Sequence, residues 1–360
     1  MQTRVHSELC YRGCMDELPP PPAARRATII TLSREAGVAP STVSRALKGD
    51  TRISPETRAR IGQLAKQLGY TPHASARTLS SGRSGLIGVV IGSSANPFYT
   101  ELLHEAVRQA APLGMRLLII HAGSGPIENS TADALLQYQV DGCLMTSVEL
   151  PSHVSAICAA NGVPVVMVNR VARLNSSAVT CDNLFGAAQL ARLLLEQGRR
   201  RFAVVRTSAS SSTGQERERG FVEQVTEAGC ECPLLFDGRS IYEGGYEMAL
   251  QIAALPAARR PEAVFAVSDI MAFGVLDGFR LRGISVPQDI AVVGFDGLPA
   301  AARPCYDLTT VEQPLEAMVS RALSMLQARI GRPSLPDETV SLRGALIVRR
   351  SSGAPQLRSK

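Results

Sequence analysis

The chain has 360 residues, of which 45% are apolar, enough to form the cores of two or three domains. No run of 18 or more apolar residues occurs, so the sequence predicts no membrane-spanning helix. Residues 1–22 are polar, contain the run Pro19–Pro22 and lack the apolar stretch of a secretory signal. We expect either a disordered leader over residues 1–27 or translation that starts at Met15. The eight cysteines show neither zinc-site spacing nor a disulfide framework. Free thiols in a reducing cytoplasm are therefore expected, and no metal or cofactor.

The positive charge of the chain is concentrated near its N-terminus. Residues 24–84 contain eleven basic and three acidic side chains, a net charge of +8, whereas the whole chain carries +6. The remainder of the chain is therefore slightly acidic. A small basic segment joined to a nearly neutral body is the electrostatic pattern of a protein that binds a polyanion such as DNA.

Three short amphipathic helices are predicted in the head, residues 28–71. We expect Thr31 to cap a first helix over residues 32–36, with Gly37 forming the tight turn into a second helix over residues 40–47. Ser54 opens the third helix, in which apolar side chains recur at helical spacing. These side chains are Ile61, Leu64, Ala65 and Leu68. The arrangement predicts a helix-turn-helix.

The second helix presents a polar face formed by Ser41, Thr42, Ser44 and Arg45. Hydroxyl groups suit phosphate oxygens, and an arginine can donate two hydrogen bonds to O6 and N7 of guanine. Similar helix pairs also occur in proteins that do not bind DNA. The scarcity of carboxylates near this face favours DNA binding.

From residue 86 onward, apolar runs typical of buried strands alternate with amphipathic helical stretches. The predicted strands cover residues 86–91, 116–120, 142–146, 164–168, 202–206, 263–267 and 290–294. This β–α–β alternation predicts parallel sheets covered by helices. The body, residues 86–350, is long enough for two subdomains that face each other across a cleft.

Ligands of open α/β sheets bind beyond the carboxyl ends of the strands, so polar residues at these ends are candidate ligand contacts. The candidates are Asn96, Phe98, Asn169, Arg170, Asp182, Asn183, Ser268, Asp269 and Asp296, together with Arg217 on the helix after the strand at 202–206. Simpler roles are open for some of them. Asp182 and Asp269 could equally cap helices, and Arg170 could bridge the subdomains. Asn96 could serve simply to form a turn with Pro97.

The chain resembles the lactose/galactose repressor (LacI/GalR) family in a series of motifs that run from about residue 28 to residue 350. The motifs in the head and hinge are Ala36–Leu47, Ser54–Arg58, Leu68-Gly69-Tyr70-x-Pro72 and Ala74-x-Ala76-Arg77-x-Leu79. Those in the body include Asn96–Tyr99, Val140-Asp141-Gly142, Cys181–Asn183, Arg217-x-x-Gly220-Phe221, Ser268-Asp269-x-Met271-Ala272, Val293–Asp296 and Leu308–Pro314. Ala39 departs from the family pattern, because it replaces the usual serine cap of the second helix.

This resemblance implies roles for single residues. Pro40, Ser41 and Arg45 would read bases in the major groove, while Thr42 and Ser44 would hold phosphates. Arg77 and Leu79 would belong to a hinge over residues 72–85, with Leu79 as a wedge in the minor groove. The body would have the fold of periplasmic sugar-binding proteins, with Arg217 and Asp296 as the main ligand contacts.

The sequence therefore predicts an all-α helix-turn-helix head joined to an α/β body of two doubly wound parallel-sheet subdomains. We expect a homodimeric repressor that binds pseudo-palindromic operator DNA. A small-molecule effector, such as a sugar or sugar acid, would control it. The predicted ligand residues are Asn96, Phe98, Arg170, Asp182, Arg217, Ser268, Asp269 and Asp296.

Two other classes of protein share parts of this pattern. A periplasmic-type binding protein without a DNA role would have the same body, but it would lack the basic head. A ligand-independent architectural DNA binder would not need the clefted body. An enzyme is not expected, because the sequence contains no P-loop, no G-x-S-x-G and no zinc-binding helix. The tail, residues 351–360, has no leucine heptads, so no C-terminal coiled coil is expected.

Overall fold

The computed structural model describes residues 27–70, 83–92, 95–123, 129–146, 152–170, 176–207, 211–332 and 334–353. They belong to two compact units, which divide between Gly82 and Arg83. The predicted hinge residues Arg77 and Leu79 lie outside the described residues. None of the helices in the described part is both long and apolar enough to cross a membrane.

The described residues of the first unit form the three helices of the head: α1 (Ile29–Ala36), α2 (Pro40–Leu47) and α3 (Pro55–Gln67). The second helix has its predicted bounds, but the prediction that Thr31 caps the first was wrong. Thr28 is the cap, and its Oγ1 accepts the backbone N–H of Thr31 at 3.2 Å. The β-branched side chain of Ile29 packs against the core of the head and adds a first turn that helix propensity alone does not favour.

The described residues of the head form a small core of six buried apolar side chains. They are Leu32, Ala36, Val43, Ala46, Ile61 and Ala65. Gly37 adopts φ +65° between α1 and α2, a left-handed conformation that glycine reaches without strain. Because Val43 and Ala46 bury one side of α2, the opposite side of this helix remains at the surface.

The second unit, the body, contains twelve strands within its described residues. They are β1 (Leu86–Ile91), β2 (Arg116–His121), β3 (Gly142–Thr146), β4 (Val165–Val168), β5 (Ser177–Cys181), β6 (Phe202–Arg206), β7 (Leu234–Asp237), β8 (Ala263–Ala266), β9 (Ala291–Asp296), β10 (Thr309–Glu312), β11 (Thr339–Leu342) and β12 (Ala345–Ile347). Its helices are α4 (Phe98–Ala110), α5 (Asn129–Gln137), α6 (Ser152–Ala160), α7 (Asn183–Glu196), α8 (Ser212–Glu227), α9 (Tyr242–Ala254), α10 (Asp269–Leu281) and α11 (Leu315–Arg329).

The strands form two six-stranded sheets, one for each subdomain. The first has the order β11-β5-β4-β3-β1-β2 and is parallel throughout. The second has the order β12-β10-β9-β8-β6-β7 and is parallel except for β12. The chain crosses between them after β5, after β10 and between β11 and β12. This topology confirms the predicted pair of doubly wound subdomains.

The packed part of the body continues through Ser352, just beyond its predicted end at residue 350. The hydroxyl of Ser351 donates to the carbonyl oxygen of Val292 at 2.6 Å and accepts the backbone N–H of Thr309 at 2.8 Å. The hydroxyls of Ser352 and Thr309 lie 2.7 Å apart. These buried hydrogen bonds fasten residues 351 and 352 to β9 and β10.

Candidate functional site

The exposed face of α2 carries all the residues predicted to contact DNA in the head. Pro40, Ser41 and Arg45 are exposed, and Thr42 and Ser44 are half-buried. Among the described residues, none forms a hydrogen bond or ion pair with the guanidinium of Arg45. The helix is short and Ala39 provides no side-chain cap, as predicted. The core therefore fixes a short helix whose outer groups are available to a ligand.

The turn after α2 is held by two arginines. A guanidinium N–H of Arg58, in α3, donates to the carbonyl oxygen of Gly49 at 2.9 Å. Arg52 forms a bidentate ion pair with Asp50, with Nε–Oδ1 and Nη2–Oδ2 distances of 3.0 and 2.7 Å. Hydrogen bonds from the Arg52 side chain and backbone lower the pKa of Asp50 to about 2. Asp50 is therefore ionised at neutral pH. It pairs with Arg52, whose positive charge could otherwise face a phosphate.

The centre of the body contains a buried ion pair at the carboxyl ends of the second sheet. Arg217, in α8, is 4% exposed, and its Nη1 donates to Asp296 Oδ1 at 2.9 Å and to the carbonyl oxygen of Val267 at 2.9 Å. Its Nε donates to Asn183 Oδ1 at 2.9 Å, and its guanidinium lies 3.9 Å from the ring centre of Phe295. Within the described part of the chain, Nη2 has no hydrogen-bond partner. The guanidinium is thus rigidly held with one donor group unused.

Asp296 links the second subdomain to the first. Its Oδ2 accepts a hydrogen bond from Asn96 Nδ2 at 2.8 Å, and Asn96 belongs to the loop after β1. Its Oδ1 also accepts from Gln313 Nε2 at 2.7 Å, where the chain crosses after β10. Asp296 has φ +138°, a conformation that is strained for a residue with a side chain and is often found at functional sites. The carboxylate therefore joins both sides of the cleft and one crossover.

Several other buried polar atoms near the carboxyl ends of strands have no hydrogen-bond partner among the described residues. They are Thr146 Oγ1, Asn169 Oδ1, Arg170 Nε, Ser268 Oγ and Gln313 Oε1. An unsatisfied buried polar atom costs about 1–3 kcal/mol, so native proteins contain few of them. Their concentration at strand ends in both sheets indicates a site that is complementary to a polar ligand.

Asp182 and Asp269 have protein partners instead. Asp182 Oδ1 accepts the backbone N–H of Phe185 at 3.1 Å and caps α7, which confirms the capping alternative. Asp269 is fully buried and does not cap its helix. Its Oδ2 accepts the backbone N–H of Leu298 at 2.8 Å, and its Oδ1 accepts the hydroxyl of Thr310 at 2.6 Å. Both oxygens are bound within the protein, so Asp269 supports the loop after β9.

Burial raises the pKa of Asp269 to about 7, and the nearby charge of Asp296 contributes to the increase. In the unfolded chain an aspartate has a pKa of about 3.9. The folded protein therefore binds this proton more tightly, and the resulting stabilisation is present below pH 4 and lost between about pH 4 and 7.

We expect the Asp269→Asn substitution to flatten the pH dependence of stability. Between about pH 4 and 7, the free energy of unfolding of the wild type should fall relative to that of the variant, by up to about 1.4 kcal/mol per pH unit. Urea unfolding across this range measures the difference. Asp133→Asn, at an exposed position of α5, is the control. Parallel profiles for wild type and Asp269→Asn would contradict the raised pKa.

The remaining predicted ligand residues lie at the same strand ends. Asn96 does form a turn, since its Oδ1 accepts the backbone N–H of Phe98 at 3.0 Å, but its amide group also reaches Asp296. Phe98 is buried and packs edge-on against Tyr99, with ring centres 5.6 Å apart. Ser268 lies at the start of α10 with its hydroxyl buried.

Gln313 and Thr146 are the residues at this site that the sequence prediction did not select. Thr146 is the last residue of a predicted strand and would have followed from the strand-end rule. Gln313 follows β10, whose four residues include two threonines and did not form an apolar run. The strand itself was missed, and with it the residue that contacts Asp296.

Comparison with known proteins gives the family. Residues 28–73 match the bacterial regulatory proteins of the lacI family, and residues 191–352 match a periplasmic binding protein-like domain. The ribose operon repressor of Escherichia coli is 31% identical over 332 residues, which covers 91% of this chain and 100% of the repressor. The chain belongs to the LacI family. It is a transcriptional regulator, and the relatives that it matches are transcriptional repressors and regulators rather than enzymes.

Other members of the LacI family match this chain over nearly the same length. The transcriptional repressor PurR of Erwinia tasmaniensis is 33% identical, covering 90% of this chain and 96% of PurR. The structure of the regulator CelR in complex with cellobiose has a TM-score of 0.65 at 28% identity, covering 91% of this chain and all of CelR. The Lac repressor dimer bound to operator and the anti-inducer ONPF has a TM-score of 0.80 at 22% identity, covering 92% and 100%, and shows the shared fold. The match of the head disfavours a binding protein without a DNA role.

Proposed function

We propose that the protein is a cytoplasmic homodimeric repressor whose cleft binds a small polyhydroxylated metabolite, a sugar or a sugar acid. Each head would bind one half of a pseudo-palindromic operator, because a two-fold dimer matches a two-fold DNA site. The observation that carries the ligand assignment is the buried Arg217–Asp296 pair, with unused polar atoms at the surrounding strand ends.

The unused atoms favour a ligand rich in hydroxyl groups. Arg217 Nη2 and Arg170 Nε can only donate, Asn169 Oδ1 and Gln313 Oε1 can only accept, and the hydroxyls of Ser268 and Thr146 can do both. A sugar hydroxyl both donates and accepts, so closely spaced sugar hydroxyls can satisfy such a mixed set. A carboxylate would in addition pair with the arginines, which is why sugar acids belong to the same proposal.

The names of two relatives point to the same ligand class. One relative at 31% identity is a ribose operon repressor, and a regulator at 28% identity was solved with cellobiose. Ribose and cellobiose are named for those two proteins and not for this one. They define the first compounds to test here.

The proposed homodimer is supported by two exposed sheet edges, one in each subdomain, on the side away from the three crossovers. Each sheet ends there in an edge strand, β2 in the first subdomain and β7 in the second. Ile119 on β2 is 53% exposed, and Leu234 and Leu235 on β7 are 44% and 43% exposed. Exposed apolar side chains on unpaired edge strands suit an interface with a second copy. In such a dimer Arg77 and Leu79 would act in the hinge, as the family resemblance implies.

Control of DNA binding would follow from the cross-cleft contact between Asn96 and Asp296. A ligand that binds between the subdomains stabilises the arrangement that it contacts best, and operator affinity shifts by that difference. The structure supports this proposal because Asp296 is bonded from both subdomains and from a crossover.

A thermal-shift screen tests the ligand assignment. D-ribose, cellobiose and D-gluconate represent the proposed class, and guanine represents planar ligands. A ligand at about 100 times its Kd stabilises the folded state by about 2.7 kcal/mol, which corresponds to a Tm increase of about 5 °C for a body of this size. We expect a sugar or a sugar acid to give such a shift. A shift with guanine alone would contradict the proposed class.

A further inference from the structure

The segment that joins the hinge to the body is fastened by Asp141. This aspartate belongs to the Val140-Asp141-Gly142 motif and precedes β3. Its Oδ1 accepts the backbone N–H and the hydroxyl of Ser84 at 2.8 and 3.1 Å. Its Oδ2 accepts the backbone N–H of Gly85 at 2.7 Å. One carboxylate thus receives three hydrogen bonds from two consecutive residues.

Arg83 provides a second attachment immediately before this pair. Its Nη2 donates to the carbonyl oxygen of Ile330, the C-terminal cap of α11, at 3.3 Å. A cation is favourable at the C-terminal end of a helix. Gly331 leaves room for the guanidinium, because a Cβ at this position would lie only 2.5 Å from Nη2. Residues 83–85, the linker anchor, are therefore attached to β3 and to α11.

The same helix begins next to the ligand site. Gln313 donates to Asp296, and α11 starts two residues later and runs for 15 residues, about 22 Å. It packs against strands of the first sheet and against α4. Gly142 permits close packing, since a Cβ there would lie 2.8 Å from Leu326 Cδ1. Neighbouring residues of the motif thus contact the linker anchor and the helix that leads from the cleft.

We propose that Asp141 is a positioning residue for operator binding, because it fixes the linker anchor to the first subdomain. This inference rests on the proposed function, in which the heads and hinges of a dimer bind DNA together. Without the carboxylate, residues 83–85 would sample more conformations. Ordering them on the operator would then cost conformational entropy in each of two subunits.

The test uses the full chain and a DNA duplex that the wild type selects from a random-sequence library. Asp141→Ala removes all three acceptor contacts, and Asp141→Asn retains only one acceptor oxygen. Asp133→Ala, an exposed aspartate on α5, is the matched control. Hydrogen exchange of the Ser84 and Gly85 amides is measured together with DNA affinity at one fixed salt concentration.

In Asp141→Ala we expect the amides of residues 84 and 85 to exchange about tenfold faster or more, while β1 and β3 stay protected. Affinity for the selected duplex should fall about tenfold, with a smaller decrease for Asp141→Asn and none for Asp133→Ala.

Unchanged DNA affinity in Asp141→Ala despite fast exchange at residues 84 and 85 would overturn the inference. Fast exchange throughout β1 and β3 in both Asp141 variants would also overturn it, because Asp141 would then serve only the folding of the body. If the wild type selected no duplex at all, the proposed function would fail and this inference with it. The first two outcomes leave the proposed function intact.

Discussion

Replacing Arg217 by alanine should remove the ligand response and lower the free energy of unfolding by about 3–5 kcal/mol, the usual cost of breaking a buried ion pair from one side. The substitution leaves the carboxylate of Asp296 buried without its cation. It also removes the donors to Val267 and Asn183 and opens space beside the ring of Phe295. Urea unfolding measures the stability, and the thermal-shift screen measures ligand binding.

A double variant separates charge burial from other effects. Asp296→Asn combined with Arg217→Ala removes the uncompensated carboxylate, so it should recover part of the lost stability without recovering ligand binding. Arg219→Ala, on the exposed side of the same helix, is the control for loss of a positive charge. If Arg217→Ala alone cost less than about 1 kcal/mol, or if it kept the ligand-dependent rise in Tm, the central role of this pair would be wrong.

The parts of the fold that follow from the sequence are those in which burial is continuous. Six strands of the body are apolar runs buried on both faces, such as β3 and β9, and all six were predicted. The edge strand β2 is partly exposed, and it was predicted from its apolar residues. The missed strands carry another signal. β7, β11 and β12 lie at sheet edges with exposed side chains, and β5 and β10 bury serine or threonine in hydrogen bonds. Hydrophobic patterning does not report a strand whose buried groups are hydroxyls.

The candidate site was predictable to the extent that strand ends were. Arg217 and Asp296 were selected on their position and on the family resemblance, and the structure places them in one ion pair. The role of Asp269 did not follow, because its partners Leu298 and Thr310 lie 29 and 41 residues away in sequence. A residue that follows a strand can point towards the ligand or back into the protein, and only tertiary packing decides between them.

Arg45→Ala should have the largest effect on the head: it should remove discrimination at one base pair in each half of the operator. A bidentate contact of arginine with guanine contributes about 1–3 kcal/mol, so two heads would lose about 2–6 kcal/mol of discrimination. The guanidinium is exposed on α2. It has no hydrogen-bond or ion-pair partner among the described residues, so its N–H groups are available to bind guanine. A competition shift assay between the selected duplex and base-substituted duplexes measures the loss.

Charge and base reading can be separated with two further variants. Arg45→Lys keeps the positive charge but replaces the planar guanidinium with a single ammonium group, so it should discriminate less well than the wild type and bind DNA of any sequence more tightly than Arg45→Ala does. Arg60→Ala, at an exposed position of α3, removes one charge outside α2 and should leave discrimination unchanged. If Arg45→Ala bound all DNA more weakly but discriminated as well as the wild type, Arg45 would contribute only charge. Sequence reading would then have to come from Pro40 and Ser41, the other exposed residues of this face.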